Sequence, residues 1–254
     1  MPTEVMSFVG GAGAQLEGVL HRAEGEPKGA VLLAHCFSCG KDLHTTTRLA
    51  NALARAGYAA LRFDFTGLGD SGGAFETTSV SSNVSDLTRA AVALIERGFG
   101  PCAIVGHSLG GAASILAASR LKTLDAVATI AAPSTVTHVQ HLFTEQIPTI
   151  RMEGKAEVSV GGAPFCLGEP FLDDLDNHDV LDAAAEIEVP YLAIVGTADN
   201  VVDPSNGHAL AAAAPDSRVF EVEGADHLFS NRDHADQVAE ALISFLDEVK
   251  GFNA

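Results

Sequence analysis

The chain has 254 residues, 47% of them hydrophobic and 19% charged, which is enough to bury most of its unfolded surface without staples. A disulfide-dependent miniprotein and a disordered tail are therefore excluded. Fifteen Lys and Arg against thirty-three Asp and Glu leave a net charge of −18, which repels phosphate backbones and anionic membranes and argues against nucleic-acid binding.

Residues 5–9 and 15–22 read as an opening antiparallel pair around Gly10, Gly11 and Gly13. The continuously apolar run 30–34 suits a strand buried on both faces. A helix is expected over 43–56, stopped by Gly57, and a strand over 58–65 that leads into a glycine-rich loop at 66–73. The next helix starts at Ser81 or Ser82 and runs to Arg97, with Gly98 as its stop. Then come a strand at 102–105, a helix at 109–120 and a strand at 126–131. The rhythm breaks over 134–189, where a hairpin (156–160, Gly161-Gly162, 164–167) and a short acidic helical region near 173–185 are expected. It resumes with a strand at 191–195, a helix at 205–214, a strand at 218–222 and an amphipathic helix at 234–249. About eight strands and six helices make an α/β fold with a mostly parallel sheet, one domain over 1–254 with a lid insertion at 134–189.

The sharpest chemical signal is Gly106-His107-Ser108-Leu109-Gly110, with Gly111 following, placed between an apolar strand and a small-residue helix. A nucleophilic serine on such a turn needs strained backbone angles and small neighbours, so G-x-S-x-G in this context makes Ser108 the expected nucleophile. A serine needs a base, and the base needs a carboxylate to orient it, in the chain order Ser, acid, His on a sheet of this kind. Asp199, just after the strand at 191–195, is the expected acid, with Asp203 and Asp226 as competitors. His227, after the last strand, is the expected base, with His107, His208 and His234 as competitors. The oxyanion of an acyl-transfer intermediate needs two backbone donors. The Leu109 amide is one. The Phe37 amide, in the loop His35-Cys36-Phe37-Ser38-Cys39-Gly40-Lys41-Asp42, is the other, with His35 bracing that loop.

These motifs resemble the α/β-hydrolase superfamily across essentially the whole chain. The loop 35–42, the run 61–73 and Phe171-Leu172-Asp173-Asp174-Leu175 resemble the hydrolase half of bacterial proteins fused to an OsmC-type domain. They are also similar to the cinnamoyl and feruloyl esterases, whose oxyanion loop carries His-Gly-Phe. The resemblance implies a serine carboxylesterase with a small lid, and carries Ser108, Asp199, His227, Phe37 and Leu109 into the roles given above. Cys36 departs from the family glycine, and the sequence reaches Ala254 without an OsmC-type domain, so no chemistry from such a domain is expected.

The remaining features receive plainer readings. The four cysteines (Cys36, Cys39, Cys102 and Cys166) are expected as structural thiols in a reducing compartment. Arg62, Asp64 and Asp70 are expected to fix the loop after the fourth strand. His138 and His141 lack a third ligand, and Gly67-Leu68-Gly69 lacks the rest of a dinucleotide signature, so no metal and no cofactor are expected. Met1 to Gly10 has no secretory signature, and no run nears the ~20 apolar residues of a membrane helix, so a cytoplasmic location is expected.

The expected activity is hydrolysis of small acyl esters through an acyl-enzyme. The alternatives are thioesterase, amidase or feruloyl-type action on the same triad, or a catalytically silent binding protein. Substrate contacts are expected from His107 and, within the insertion, Leu142, Phe143, Phe165 and Phe171. The expected partner is a small-molecule acyl ester, with no nucleic acid and no membrane; a homodimer is compatible with this reading.

Overall fold

The structure, a computed structural model, describes residues 2–37, 39–160 and 163–253. The chain opens with β1 (Thr3–Val9) and β2 (Gln15–His21), paired antiparallel with Val5 opposite Val19. There follow β3 (Ala30–Ala34), α1 (His44–Arg55), β4 (Ala59–Phe63), α2 (Val80–Glu96), β5 (Cys102–His107), α3 (Leu109–Ala118) and β6 (Ala126–Ile130). After an irregular stretch come β9 (Tyr191–Gly196), α7 (Ser205–Ala213), β10 (Ser217–Val222) and α8 (Arg232–Glu248). The strands form an eight-stranded sheet in the order β1-β2-β4-β3-β5-β6-β9-β10, parallel from β4 to β10.

Burial explains why the middle strands are so apolar. Every residue of β3, β4, β6 and β9 is buried, because helices cover both faces. On one face Leu87 and Leu94 of α2, Leu116 of α3 and Leu210 of α7 join one core. On the other, Leu49 and Leu53 of α1 meet Val238, Leu242, Phe245 and Leu246 of α8. Parallel strands with crossover helices send the loops after β3, β5, β9 and β10 to one rim, where ligands bind on such sheets.

The stretch between β6 and β9 has its own elements, as a long segment in a folded chain should. They are 3-10 turns at Val136–Leu142 and Thr144–Gln146, α4 (Ile147–Glu153), the antiparallel hairpin β7 (Lys155–Val160) and β8 (Ala163–Gly168), α5 (Glu169–Asp174) and α6 (Val180–Ala185). The Gly161-Gly162 turn expected between the hairpin strands lies outside the described residues. The acidic region resolves into two short helices, α5 with Pro170 in its first turn and α6 capped by the Asp179 side chain, which accepts the Asp182 N–H at 3.0 Å.

Asp174 ties this stretch to the start of α2. It accepts the Ser81 N–H at 2.6 Å and the Ser81 hydroxyl at 2.9 Å, and the His178 Nε2 lies 3.0 Å from it. Burial alone would raise the Asp174 carboxyl, but the His178 and Ser81 bonds outweigh it and hold the group at about 2. The start of α2 differs from expectation: the helix begins at Val80 rather than Ser81 or Ser82. The reason is a reciprocal cap in which the Ser79 hydroxyl accepts the Ser82 N–H and the Ser82 hydroxyl accepts the Ser79 N–H.

Candidate active site

Between β5 and α3 there is a single residue, Ser108, at φ 55° and ψ −126°. A side-chain-bearing residue held in that region costs roughly 1–3 kcal/mol and persists only where its surroundings impose it. The surroundings are glycines. A Cβ on Gly106 would land on the carbonyl oxygen of Gly110, and one on Gly110 would land on that of His35. The second collision shows that the first turn of α3 lies directly against the backbone of the loop after β3.

The Ser108 hydroxyl is 3.0 Å from Nε2 of His227, whose Nδ1 is 2.8 Å from Oδ2 of Asp199. The other Asp199 oxygen accepts the N–H groups of Val201 and Val202 at 2.8 and 2.9 Å. Burial pushes the Asp199 carboxyl up, but the His227 bond and the two amides pull it further down, below the usual carboxylate range. An ionised Asp199 accepts a hydrogen bond from the His227 Nδ1–H, which keeps the proton on Nδ1 and leaves the Nε2 lone pair free to accept the serine proton.

The competing side chains are engaged elsewhere. Asp203 accepts the Ser205 N–H at 2.9 Å at the start of α7, and Asp226 accepts the Ser230 N–H at 2.8 Å within its own turn. His208 pairs with Glu221 at 2.8 Å on the surface. His138 donates to the Val201 carbonyl at 2.8 Å, and His141 donates to the His138 carbonyl at 2.5 Å. Among the described residues, no group of three His, Cys, Asp or Glu side chains is placed to hold a metal ion.

His107, expected as a substrate contact, packs against His227. Its Nε2 donates to the His227 carbonyl at 2.8 Å, and its ring lies 5.0 Å from the His227 ring, beside a small cavity lined by Leu33, Leu43, Val105 and Ile130. Burial, with the nearby His227 adding to it, lowers its pKa to about 4. The sign of the consequence follows from linkage. A histidine at 6.5 when unfolded and about 4 when folded binds fewer protons in the native state, so stability falls as pH drops from 6.5 towards 4. His21 and His35 are lowered in the same direction, also chiefly by burial. We expect the urea midpoint to decline over that window, and His107→Gln to flatten part of the slope, of the order of 3 kcal/mol at most. Parallel pH profiles for parent and variant would remove His107 as the cause.

The loop after β3 is braced from two sides. His35 Nδ1 donates to the Cys36 carbonyl at 2.7 Å, and its Nε2 accepts the Phe65 N–H at 3.3 Å, so its tautomer is defined by its partners. Because a trans peptide points its C=O and N–H in opposite directions, fixing the Cys36 carbonyl also fixes the Phe37 N–H. Among the described residues, neither the Phe37 nor the Leu109 N–H has a hydrogen-bond partner. On the far side, buried Lys41 reaches Asp64 at 2.6 Å and Asp70 at 2.5 Å, while Arg62 donates to the Lys41 carbonyl at 2.9 Å. Arg62, Asp64 and Asp70 thus hold the loop after β3 as well as the one after β4. Lys41 is their hub, and sequence reasoning missed it.

The expectation of four free thiols is corrected at one pair. Cys36 and Cys39 form a disulfide, their Cα atoms 5.2 Å apart, within the range a disulfide spans. Cys102 and Cys166 are free. Burial pushes the Cys102 thiol up to about 12.

The insertion contributes aromatic rings. The Phe37 ring lies 5.1 Å from Phe171, 6.0 Å from Phe143 and 5.8 Å from Phe75, and Phe165 joins through Phe75 at 5.6 Å. Phe143 and Phe171 are each only 1% exposed, whereas Leu142 and Phe165 are partly buried at the edge of the same core. Phe75 was not foreseen; a lone large apolar residue in a polar loop was the available signal.

With this geometry in view, comparison with known proteins is informative. A family model described as "Alpha/beta hydrolase family" matches residues 31–241. Among solved structures, the esterase domain of a Rhodothermus marinus protein shares 34% identity at a TM-score of 0.79, covering 98% of this chain and 99% of that one. Est1E from Butyrivibrio proteoclasticus, solved with ferulic acid bound, shares 19% identity at a TM-score of 0.76 over 96% and 98% of the two chains, a likeness of fold. A polyketide synthase, ThaQ of Burkholderia thailandensis, is 31% identical over 78 residues, which is 31% of this chain and 4% of the synthase.

Proposed function

The chain belongs to the alpha/beta hydrolase family, and from that premise we propose that it is a serine esterase acting on small acyl esters. The observation that carries the reading is the unbroken hydrogen-bond series from Asp199 through His227 to Ser108. The partnerless amides of Phe37 and Leu109, on backbone segments in contact with each other, complete it.

His227 takes the hydroxyl proton as Ser108 attacks the ester carbonyl. The carbonyl oxygen becomes an oxyanion held by the Phe37 and Leu109 amides. Collapse expels the alcohol, which receives the proton from His227, and leaves an acyl group on Ser108. Water, deprotonated by the same histidine, then releases the acid and restores the serine. The 34% identity to an esterase domain over nearly the full length supports ester hydrolysis as the chemistry.

A panel of p-nitrophenyl esters from acetate upward, with hydroxycinnamoyl esters and one thioester, tests the proposal alongside fluorophosphonate labelling. We expect Ser108 to be the labelled residue and short oxygen esters to be turned over. A folded protein that neither labels nor hydrolyses any member of the panel overturns the reading.

In the same reading, residues 134–189 form a lid over the acyl side of the site, and its aromatic residues limit acyl length. Trimming Phe143 or Phe171 to Ala would open a cavity in the core at about 3–5 kcal/mol. Phe143→Leu, Phe171→Leu and Phe165→Ala are the usable probes. They should move the preferred acyl chain longer by one or two carbons, since each methylene of fit is worth about 1–3 kcal/mol. An unchanged ester profile in all three variants would place specificity outside the insertion.

A further inference from the structure

The Cys36–Cys39 pair lies where it can act on the chemistry. It brackets Phe37, whose N–H is one of the two proposed oxyanion donors, and the turn it closes sits between two fixed points. Upstream, the Cys36 carbonyl is held by His35 at 2.7 Å. Downstream, the Lys41 N–H is held by Asp64 at 2.7 Å and its ammonium by Asp64 and Asp70. Between these points the described residues supply one backbone tie, Cys39 N–H to the Cys36 carbonyl at 3.2 Å. The disulfide is the covalent closure of the turn. The two sulfurs also differ in access, because Cys36 is buried whereas Cys39 is partly exposed.

We propose that Cys36 and Cys39 are a thiol–disulfide modification site for low-molecular-weight thiols and disulfides, and that its state tunes the oxyanion donor at Phe37. The inference rests on the reading of Ser108 as nucleophile. A small thiolate attacks the accessible Cys39 sulfur, forms a mixed disulfide there and expels Cys36 as a thiolate, which takes up a proton. A second thiol attacks the mixed disulfide, leaving Cys39 as a thiol. Overall, two small thiols are oxidised to one small disulfide, and the two electrons they give up reduce the protein pair to a dithiol. A low-molecular-weight disulfide reverses both steps. Two thiols cannot remain at bonding distance, so reduction relaxes the separation of residues 36 and 39. The Phe37 amide, carried between them, keeps its restraint through His35 and the Cys36 carbonyl but loses the covalent one, so its aim loosens.

The protein is equilibrated in glutathione buffers of graded thiol-to-disulfide ratio, with its redox state read by intact mass. For the reduced form we expect kcat on p-nitrophenyl acetate to fall about three- to tenfold while KM stays within about twofold. Full loss of an oxyanion donor costs about 10²–10³ and here the donor is loosened, not removed. A trifluoromethyl ketone, which forms a tetrahedral adduct on serine, should lose affinity by the same factor as kcat. A merely structural bond would not produce that match. The double substitution Cys36→Ser and Cys39→Ser should give the reduced-state rate in every buffer; if it does not fold, the wild-type titration alone decides. Equal kcat and equal ketone affinity in both redox states overturn the switch while leaving Ser108-dependent hydrolysis intact. Hydrolysis that persists in Ser108→Ala overturns the nucleophile assignment instead.

Discussion

Replacing Ser108 by alanine is expected to lower kcat at least about a thousandfold while leaving a folded protein. The removed atom is the one that bonds to the acyl carbon, and only the oxyanion donors and substrate binding remain to assist water. Folding should survive because the strained backbone at φ 55° is imposed by the glycines and by the Ser108 N–H bond to the Ile130 carbonyl at 2.9 Å, not by the hydroxyl. Steady-state kinetics with a circular dichroism control checks this. A well-folded variant with near-parental turnover would mean that another group attacks the ester.

The second large effect is expected at the acid. Asp199→Asn keeps the shape and the hydrogen-bonding capacity of the side chain but removes its charge. An amide facing His227 Nδ1 can present its NH₂ group, which favours the tautomer whose Nε2 carries the proton and so cannot accept the serine proton. Loss of kcat of order 10⁴ follows, with most of the stability retained. Asp203→Asn serves as the contrast, because Asp203 bonds to Ser205 and lies outside the chain of bonds to the serine. Should Asp203→Asn be crippling and Asp199→Asn mild, the carboxylate has been misassigned and the hydrogen-bond series is not the working one.

Legibility in the sequence divides along a physical line. The sheet was readable because β3, β6 and β9 are buried on both faces and so show as unbroken apolar runs. The turn at Ser108 was readable because Gly106 and Gly110 meet backbone oxygens that no side chain could share, a local demand that leaves local residues behind. Lys41 left no such mark. A lysine in a loop reads as solvated, and its burial depends on Asp64 and Asp70, more than twenty positions away and converging only once β3 and β4 pair. The Cys36–Cys39 bond is local, but a spacing of three permits it without requiring it. Two short helices of the insertion could have been found. Pro148 and Pro170 each sit in a first turn, a signal that apolar periodicity overlooks in elements of six or seven residues.

The bond from His138 to the Val201 carbonyl bears on how freely this scaffold can be rebuilt. Val201 also donates its N–H to Asp199, so one peptide-bearing residue is shared between the stretch after β6 and the carboxylate that orients His227. Exchanging that stretch for one from another hydrolase, a common way to seek new substrates, therefore replaces a strut of the proposed triad along with the proposed lid. A chimera whose donor lacks a histidine at this place inherits an acid loop with one fewer anchor. Its turnover would decline for every ester alike, a uniform loss separable from any change in preference. Retaining the 3-10 turn Val136–Leu142 and splicing after it keeps the strut and confines the exchange to the rest of the proposed lid.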